Sequence, residues 1–146
     1  MSPTPEKLTS FVQQATAKHS ATVISLHALG GYGKTWTIPT DYGTKLPSWY
    51  DLMIDESVIA VEQDEAGMLK SRQTRLFVRK LRRTTSPANR IVIGGNSRGA
   101  AMALLIGLSA ESYKFSGIVS LSGYMPLLWK FMKTMTSDAN RRTPVF

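Results

Sequence analysis

The sequence predicts an α/β fold, a mostly parallel sheet flanked by helices. Short runs of β-branched, apolar residues end at glycine-rich turns, as buried strands do. Between them lie stretches with apolar residues at helical spacing. The two kinds of segment alternate along the chain, which is the pattern of strands joined by helical crossovers. The 146 residues suit one domain and suffice for a real core, since a chain of this size hides roughly two thirds of its surface on folding.

Residues 1–20 form a polar N-terminal segment, and 21–146 are expected to make a single domain. The first strand is Ala21 to Leu26 (ATVISL), expected to be buried. The stretch between Trp36 and Trp49 holds two prolines and a glycine and is expected to be loop. Asp64 to Arg83 places Leu69, Leu76, Phe77 and Leu81 on one helical face. Ile91 to Gly95 is the second strand. Arg98 to Leu108 is a helix of small and apolar residues, suited to burial against a sheet, in which Met102 fills core. Phe115 to Leu121 is the third strand, and Thr143 to Phe146 begins a fourth. From Leu128 to Arg142, Trp129, Phe131 and Met132 fit either a short helix or a lid over a site.

Composition excludes several chemistries. With no cysteine there is no disulfide framework, thiolate zinc site or catalytic thiol. Two histidines, His19 and His27, cannot build a histidine-rich metal site. Met1 to Lys18 lacks the apolar core of a secretory signal. The longest apolar stretch, Ala100 to Leu108, falls far short of the ~20 residues of a membrane span. A cytoplasmic location is the expectation. The formal charge of +8 permits an acidic partner.

Gly95-Asn96-Ser97-Arg98-Gly99 has the form G-x-S-x-G and sits between a strand and a helix. Such a turn holds its serine in a strained backbone conformation and presents the hydroxyl at the top of the sheet. Side chains in place of the flanking glycines would collide with the neighbouring strand and helix. The Arg98 N–H, at the helix N-terminus, would point toward an oxyanion. The bland alternative is a glycine-rich turn whose serine only caps the helix.

Several blocks in order resemble the acyl-protein thioesterase/carboxylesterase family of α/β-hydrolases. Leu26-His27-Ala28-Leu29-Gly30 looks like the family's L-H-G-L-G, with Ala28 for the first glycine. Pro47-Ser48-Trp49-Tyr50-Asp51 looks like P-S-W-[FY]-D, and Glu62 to Gly67 resembles an acidic D-E-x-G run. Asn89 to Gly95 leads into the elbow, and Leu121-Ser122-Gly123-Tyr124-Met125-Pro126-Leu127 resembles L-S-G-x-x-P-L. The resemblance implies a partial α/β-hydrolase fold and Ser97 as the nucleophile. It implies an oxyanion hole made by the main-chain N–H groups of Leu29 and Arg98, with Arg98 replacing the family's usual glutamine. It puts Trp49, Tyr124, Met125, Pro126 and Leu127 on the acyl-binding side. Substrates would be S-acylated proteins, small carboxylic esters or lysophospholipids, with no metal and no organic cofactor.

The sequence departs from the family twice. A serine needs a base and the base an orienting group. The family's triad aspartate and histidine follow the strand that Thr143 to Phe146 would begin, and neither has a counterpart up to Phe146. His27 matches the motif histidine beside the oxyanion turn, where a structural hydrogen-bonding role is expected, and His19 is expected to be solvated. Between Trp36 and Pro47 there are ten residues where the family fits a helix and a strand. That loss would leave the Ala21 strand nearer a sheet edge. The two losses suggest an exon-skipped, truncated or mispredicted gene product, or a non-catalytic descendant. The chain as it stands is expected to be inactive or nearly so.

Two other classes compete. Ala28-Leu29-Gly30-Gly31-Tyr32-Gly33-Lys34-Thr35 fits a relaxed phosphate-binding loop, in which Lys34 would neutralise phosphate and Thr35 hold magnesium. Such a loop must feed a helix, and Thr37 to Thr44, with Pro39 and Gly43, has no helical stripe. Arg72, Arg75, Arg79, Arg82 and Arg83 share one helical face and could meet nucleic-acid phosphates. Phe77, the aromatic between them in sequence, falls on the opposite face and none shares theirs for base stacking, so a solvated face is preferred and no nucleic acid is expected. A transient attraction to an anionic membrane surface fits the same charge.

Overall fold

The computed structural model describes residues 11–31, 36–39, 45–53, 62–73, 87–111, 114–135 and 140–146. At its centre is a parallel sheet of β1 (Thr22–Leu26), β6 (Ile91–Asn96) and β7 (Gly117–Leu121), in the order β1-β6-β7. The register runs Thr22 to Leu26 against Ile91 to Gly95, and Val92 to Asn96 against Gly117 to Leu121. Beyond β7, the run Thr143 to Phe146 adds itself in parallel. Ile118 N–H donates to Pro144 O (2.9 Å), Phe146 N–H to Ile118 O (2.9 Å) and Ser120 N–H to Phe146 O (2.7 Å). The predicted fourth strand therefore does dock on the sheet, as an extended edge.

The first strand differs from its expectation of burial. Among the described strands β1 pairs only with β6. Leu26 is buried and Ile24 half-buried, while Ser25 is exposed and Val23 is 74% exposed. The alternation is that of an edge strand with one face on the core, which matches the edge position expected from the shortened interior.

A second expectation is corrected outright. Within the stretch from Trp36 to Trp49, expected to be loop, the described residues form an antiparallel hairpin of β2 (Trp36–Pro39) and β3 (Lys45–Ser48). Both prolines, Pro39 opposite Lys45 and Pro47 opposite Thr37, fall two residues apart in the register and so share one phase of the ladder. Pro47 O accepts from Gly30 N–H at 3.0 Å, away from β2. In an antiparallel strand a residue's N and O point the same way, so the missing N–H of each proline faces away from the partner strand and costs no ladder bond. A further short antiparallel pair joins β4 (Leu52–Met53) to β5 (Glu62–Gln63).

α1 (Glu65–Arg72) starts at Asp64, whose carboxylate accepts from Gly67 N–H at 2.8 Å, an N-cap of the usual kind. The rest of the helix expected to reach Arg83, with Leu76, Phe77, Leu81 and four of the five arginines, lies outside the described residues. Arg72 donates to Ser109 O at 3.3 Å. α2 (Arg98–Ser109) is buried along nearly its whole length against β6 and β7, and α1 packs on it. Ile91, Ile93, Met102, Leu105, Phe115 and Ile118 form the centre of the core. After β7, α3 (Leu128–Lys130) runs on without a break into a wider π turn over Phe131–Met135, so the first part of the stretch left open between helix and lid is helical.

Candidate active site

The close packing of strand, turn and helix is set by two glycines. A Cβ on Gly95 would lie 2.4 Å from the main-chain carbonyl carbon of Gly99. One on Gly99 would lie 2.3 Å from Leu26 O and 2.5 Å from His27 O. These are main-chain atoms that cannot swing aside, so only hydrogen fits, and α2 is drawn directly onto β1 and β6. The turn between them falls on Ser97, with φ 53° and ψ −119°, a region L side chains occupy at a cost of about 1–3 kcal/mol. Its N–H donates to Leu121 O at 2.9 Å, and its carbonyl accepts from Ala101 N–H at 3.1 Å. The surrounding structure thus fixes a conformation the residue would not choose. The Ser97 side chain is exposed and makes no capping hydrogen bond to the helix. A serine that merely caps would make one.

Opposite the elbow lies the turn Pro47 to Asp51. Ser48, Trp49 and Tyr50 are buried, and their polar groups are met one by one. Ser48 Oγ donates to Tyr50 O at 2.7 Å. Trp49 O accepts from Ser71 Oγ, and Asp51 N–H donates to Asp64 Oδ2 at 2.9 Å. Trp49 Nε1 donates to His27 O at 2.8 Å, and its ring stacks on the His27 imidazole at 4.8 Å between centroids. Tyr50 Oη and Tyr124 Oη are 2.7 Å apart. Burial pushes the Tyr50 hydroxyl far above the ordinary tyrosine range; the bond to Tyr124 adds to this and the nearby Arg98 cation partly offsets it.

The residues named for the oxyanion hole and acyl side are placed as follows. Arg98 follows Ser97 at the first position of α2, and Leu29 lies in the turn after β1, partly exposed. Gly30, with φ 72°, bends that turn. Trp49 and Pro126 are buried, Trp49 against His27; Met125 and Leu127 are half-buried and Tyr124 is exposed. Tyr124, Met125 and Leu127 are therefore accessible at the surface, whereas Trp49 and Pro126 are not. His27 has its Nδ1 2.6 Å from Ala28 O. His19 lies in the exposed N-terminal stretch, with Nε2 3.1 Å from Thr22 Oγ1. Among the described residues no group of three or more aspartate, glutamate or histidine residues could hold a metal ion. No helix among them is long and apolar enough to cross a membrane.

The phosphate-loop reading loses its context, because the chain after Thr35 enters β2 rather than a helix; Lys34 and Thr35 lie outside the described residues. Sequence reading also missed Gln63, whose Oε1 accepts from Leu127 N–H at 2.6 Å, and Asn140. Asn140 is fully buried, with Oδ1 accepting from Phe115 N–H (3.1 Å) and Thr143 Oγ1 (3.0 Å) and Nδ2 donating to Ala110 O (2.7 Å). It anchors the last segment to the start of β7.

A parallel sheet flanked by helices, with a strained serine exposed at a strand-to-helix turn, is a partial α/β-hydrolase fold. Solved structures share it: SOBER1 from Arabidopsis thaliana superposes with a TM-score of 0.69 at 18% identity, covering 87% of this chain and 72% of that one. Acyl-protein thioesterase 2 from Zea mays gives 0.65 at 20% identity over 85% and 64%. The profile of the phospholipase/carboxylesterase family matches residues 38–146, and the chain belongs to that family. Acyl-protein thioesterase 1 of Neurospora crassa is 36% identical over 90% of this chain and 66% of its own length; that of Yarrowia lipolytica is 33% identical over 90% and 69%. The chain spans about two thirds of the length of these relatives.

Proposed function

We propose that the chain belongs to a serine hydrolase of the acyl-protein thioesterase/carboxylesterase type, cleaving fatty-acyl thioesters of S-acylated proteins or small carboxylic esters through an acyl-Ser97 intermediate. The observation that carries this reading is the exposed, uncapped Ser97 at φ 53°. Ser97 Oγ bonds the acyl carbon, and the thiolate or alkoxide leaves and takes up a proton. Water then attacks the acyl-serine and releases the acid and free Ser97. The developing oxyanion is met by the Leu29 and Arg98 main-chain N–H groups. Tyr124, Met125 and Leu127 border the acyl chain, with Trp49 and Pro126 supporting them.

Deprotonation of Ser97 is the step these residues serve least. His27 is engaged with Ala28 O and the Trp49 ring, and His19 lies in the N-terminal stretch. Neither is assigned as base, so residues 1–146 by themselves should turn over esters slowly or not at all; a non-catalytic role is the second reading this favours.

A cytoplasmic location and transient contact with an anionic membrane surface belong to the same proposal. Trp129 and Met132, 79% and 70% exposed, and Lys133 lie just beyond Leu127, on a chain of charge +8. Exposure to a fluorophosphonate serine-hydrolase probe followed by intact-mass analysis tests the reading. On the protein isolated from its own source, an adduct on the Ser97 peptide, absent in Ser97→Ala, is expected; labelling that survives Ser97→Ala overturns it.

A further inference from the structure

The reading of Ser97 as a nucleophile uses Arg98 only for its main-chain N–H, yet the Arg98 side chain itself reaches across to the facing turn. Its Nη1 donates to Ser48 Oγ at 2.8 Å and to Tyr50 O at 3.1 Å, and the guanidinium carbon lies 5.6 Å from the Tyr50 ring centroid. We propose that Arg98 is a positioning residue, whose side chain clamps the 47–51 turn to the elbow and through that turn fixes the Leu29 segment at a set distance from its own N–H. The proposal rests on the Ser97 reading for its catalytic meaning.

From the turn, Pro47 O reaches Gly30 N–H (3.0 Å) and Trp49 Nε1 reaches His27 O (2.8 Å). Both bonds fall on residues flanking the Ala28–Leu29 step. One oxyanion donor thus belongs to Arg98, and the other is tethered to the turn that Arg98 grips. An oxyanion hole needs two N–H groups at fixed separation, and a displacement of an ångström there costs more rate than binding. A planar, always-charged guanidinium suits this task. It donates to two acceptors from one nitrogen and still lies against a ring face, which a compact ammonium does less well.

The clamp is also separable from folding. Without the Arg98 side chain, Ser48 Oγ still donates to Tyr50 O, so no buried donor is orphaned. The loss should appear as looseness rather than collapse.

Amide hydrogen exchange on the full 146-residue chain tests this in wild type, Arg98→Met and Arg98→Lys. The Gly30 amide is the direct reporter, because its partner is Pro47 O. In Arg98→Met, Gly30 and Asp51 should exchange about tenfold faster or more, the effect of losing a charge-assisted hydrogen bond. Ile93, Leu105 and Ile118 should stay within about twofold of wild type, as sub-global opening requires. Arg98→Lys should fall between the two. Unchanged Gly30 and Asp51 rates, or an equal acceleration at every amide, would overturn the clamp. Fluorophosphonate labelling of the same variants separates the two claims. If wild type labels at Ser97, Arg98→Met should label about tenfold more slowly or worse; full-rate labelling overturns the proposal. If wild type does not label, the missing base accounts for it and the nucleophile reading stands apart, while exchange decides the clamp.

Discussion

The strand–turn–helix from Ile91 to Ser109 and the Pro47–Asp51 turn facing it are both largely buried, but they are fixed by opposite means. Around Ser97 the structure is held by shape. Gly95 and Gly99 leave no room for a methyl group, and Ile91, Ile93, Met102 and Leu105 fill the space behind them. The facing turn is held by pairing, with Ser48, Ser71, Asp64 and Gly30 each meeting one of its polar groups and Arg98 meeting two. A region held by shape fails when something is added, and a region held by pairing fails when something is taken away. The catalytic proposal needs both, because the serine comes from the first and the placement of one oxyanion donor from the second.

The sharpest way to break the comparison is Gly99→Ala. The added methyl meets Leu26 O and His27 O, so the helix must leave the sheet. A loss of about 3 kcal/mol or more is expected, at the upper end for overpacking. Urea unfolding should show a midpoint shifted down accordingly, and a shift under a third of that size would mean the elbow is looser than its contacts indicate. Taking away is milder. Asp64→Ala removes both the N-cap of α1 and the partner of Asp51 N–H, and about 2 kcal/mol should follow. Asp64→Asn should recover part of it; no recovery would assign the loss to something other than these two bonds.

The smallest effect is in pH. The folded state holds Tyr50 neutral, with its pKa raised above that of the unfolded chain. The stability this contributes is complete below the unfolded value of about 10. It is lost as pH rises from there through the folded value. Stability should therefore fall with alkali above about pH 10, and Tyr50→Phe should flatten that fall while changing neutral-pH stability by about 1 kcal/mol. Identical alkaline slopes for the two proteins would rule Tyr50 out as their source.

The same division explains what the sequence revealed. β1, β6, β7 and α2 were readable because apolar runs and helical stripes are local patterns, and the G-x-S-x-G turn lies wholly within them. The edge position of β1 also followed, from the shortened stretch after Trp36. The hairpin was not readable, since Pro39 and Pro47 look like breakers until the register shows their nitrogens facing outward. Nor were the polar ties. Asp51 and Asp64 are 13 residues apart and Tyr50 and Tyr124 are 74 apart, and no periodicity links them. Asn140, in a stretch left open between helix and lid, ties Phe115, Ala110 and Thr143 together through bonds that only the folded chain defines.

The pairing of β1 with β6 joins Thr22 to Ile91, 69 residues later (91 − 22), whereas β6 and β7 are joined by one helix. Closing the longer loop costs more entropy before any contact repays it, so the β6–α2–β7 unit should assemble first and accept β1 afterwards. On the ribosome the order of appearance is reversed. At synthesis rates of about 5–20 residues per second, β1 waits roughly 3–14 s for its partner. During that interval it is an unpaired apolar strand, and what it meets decides whether the elbow is ever closed on that side.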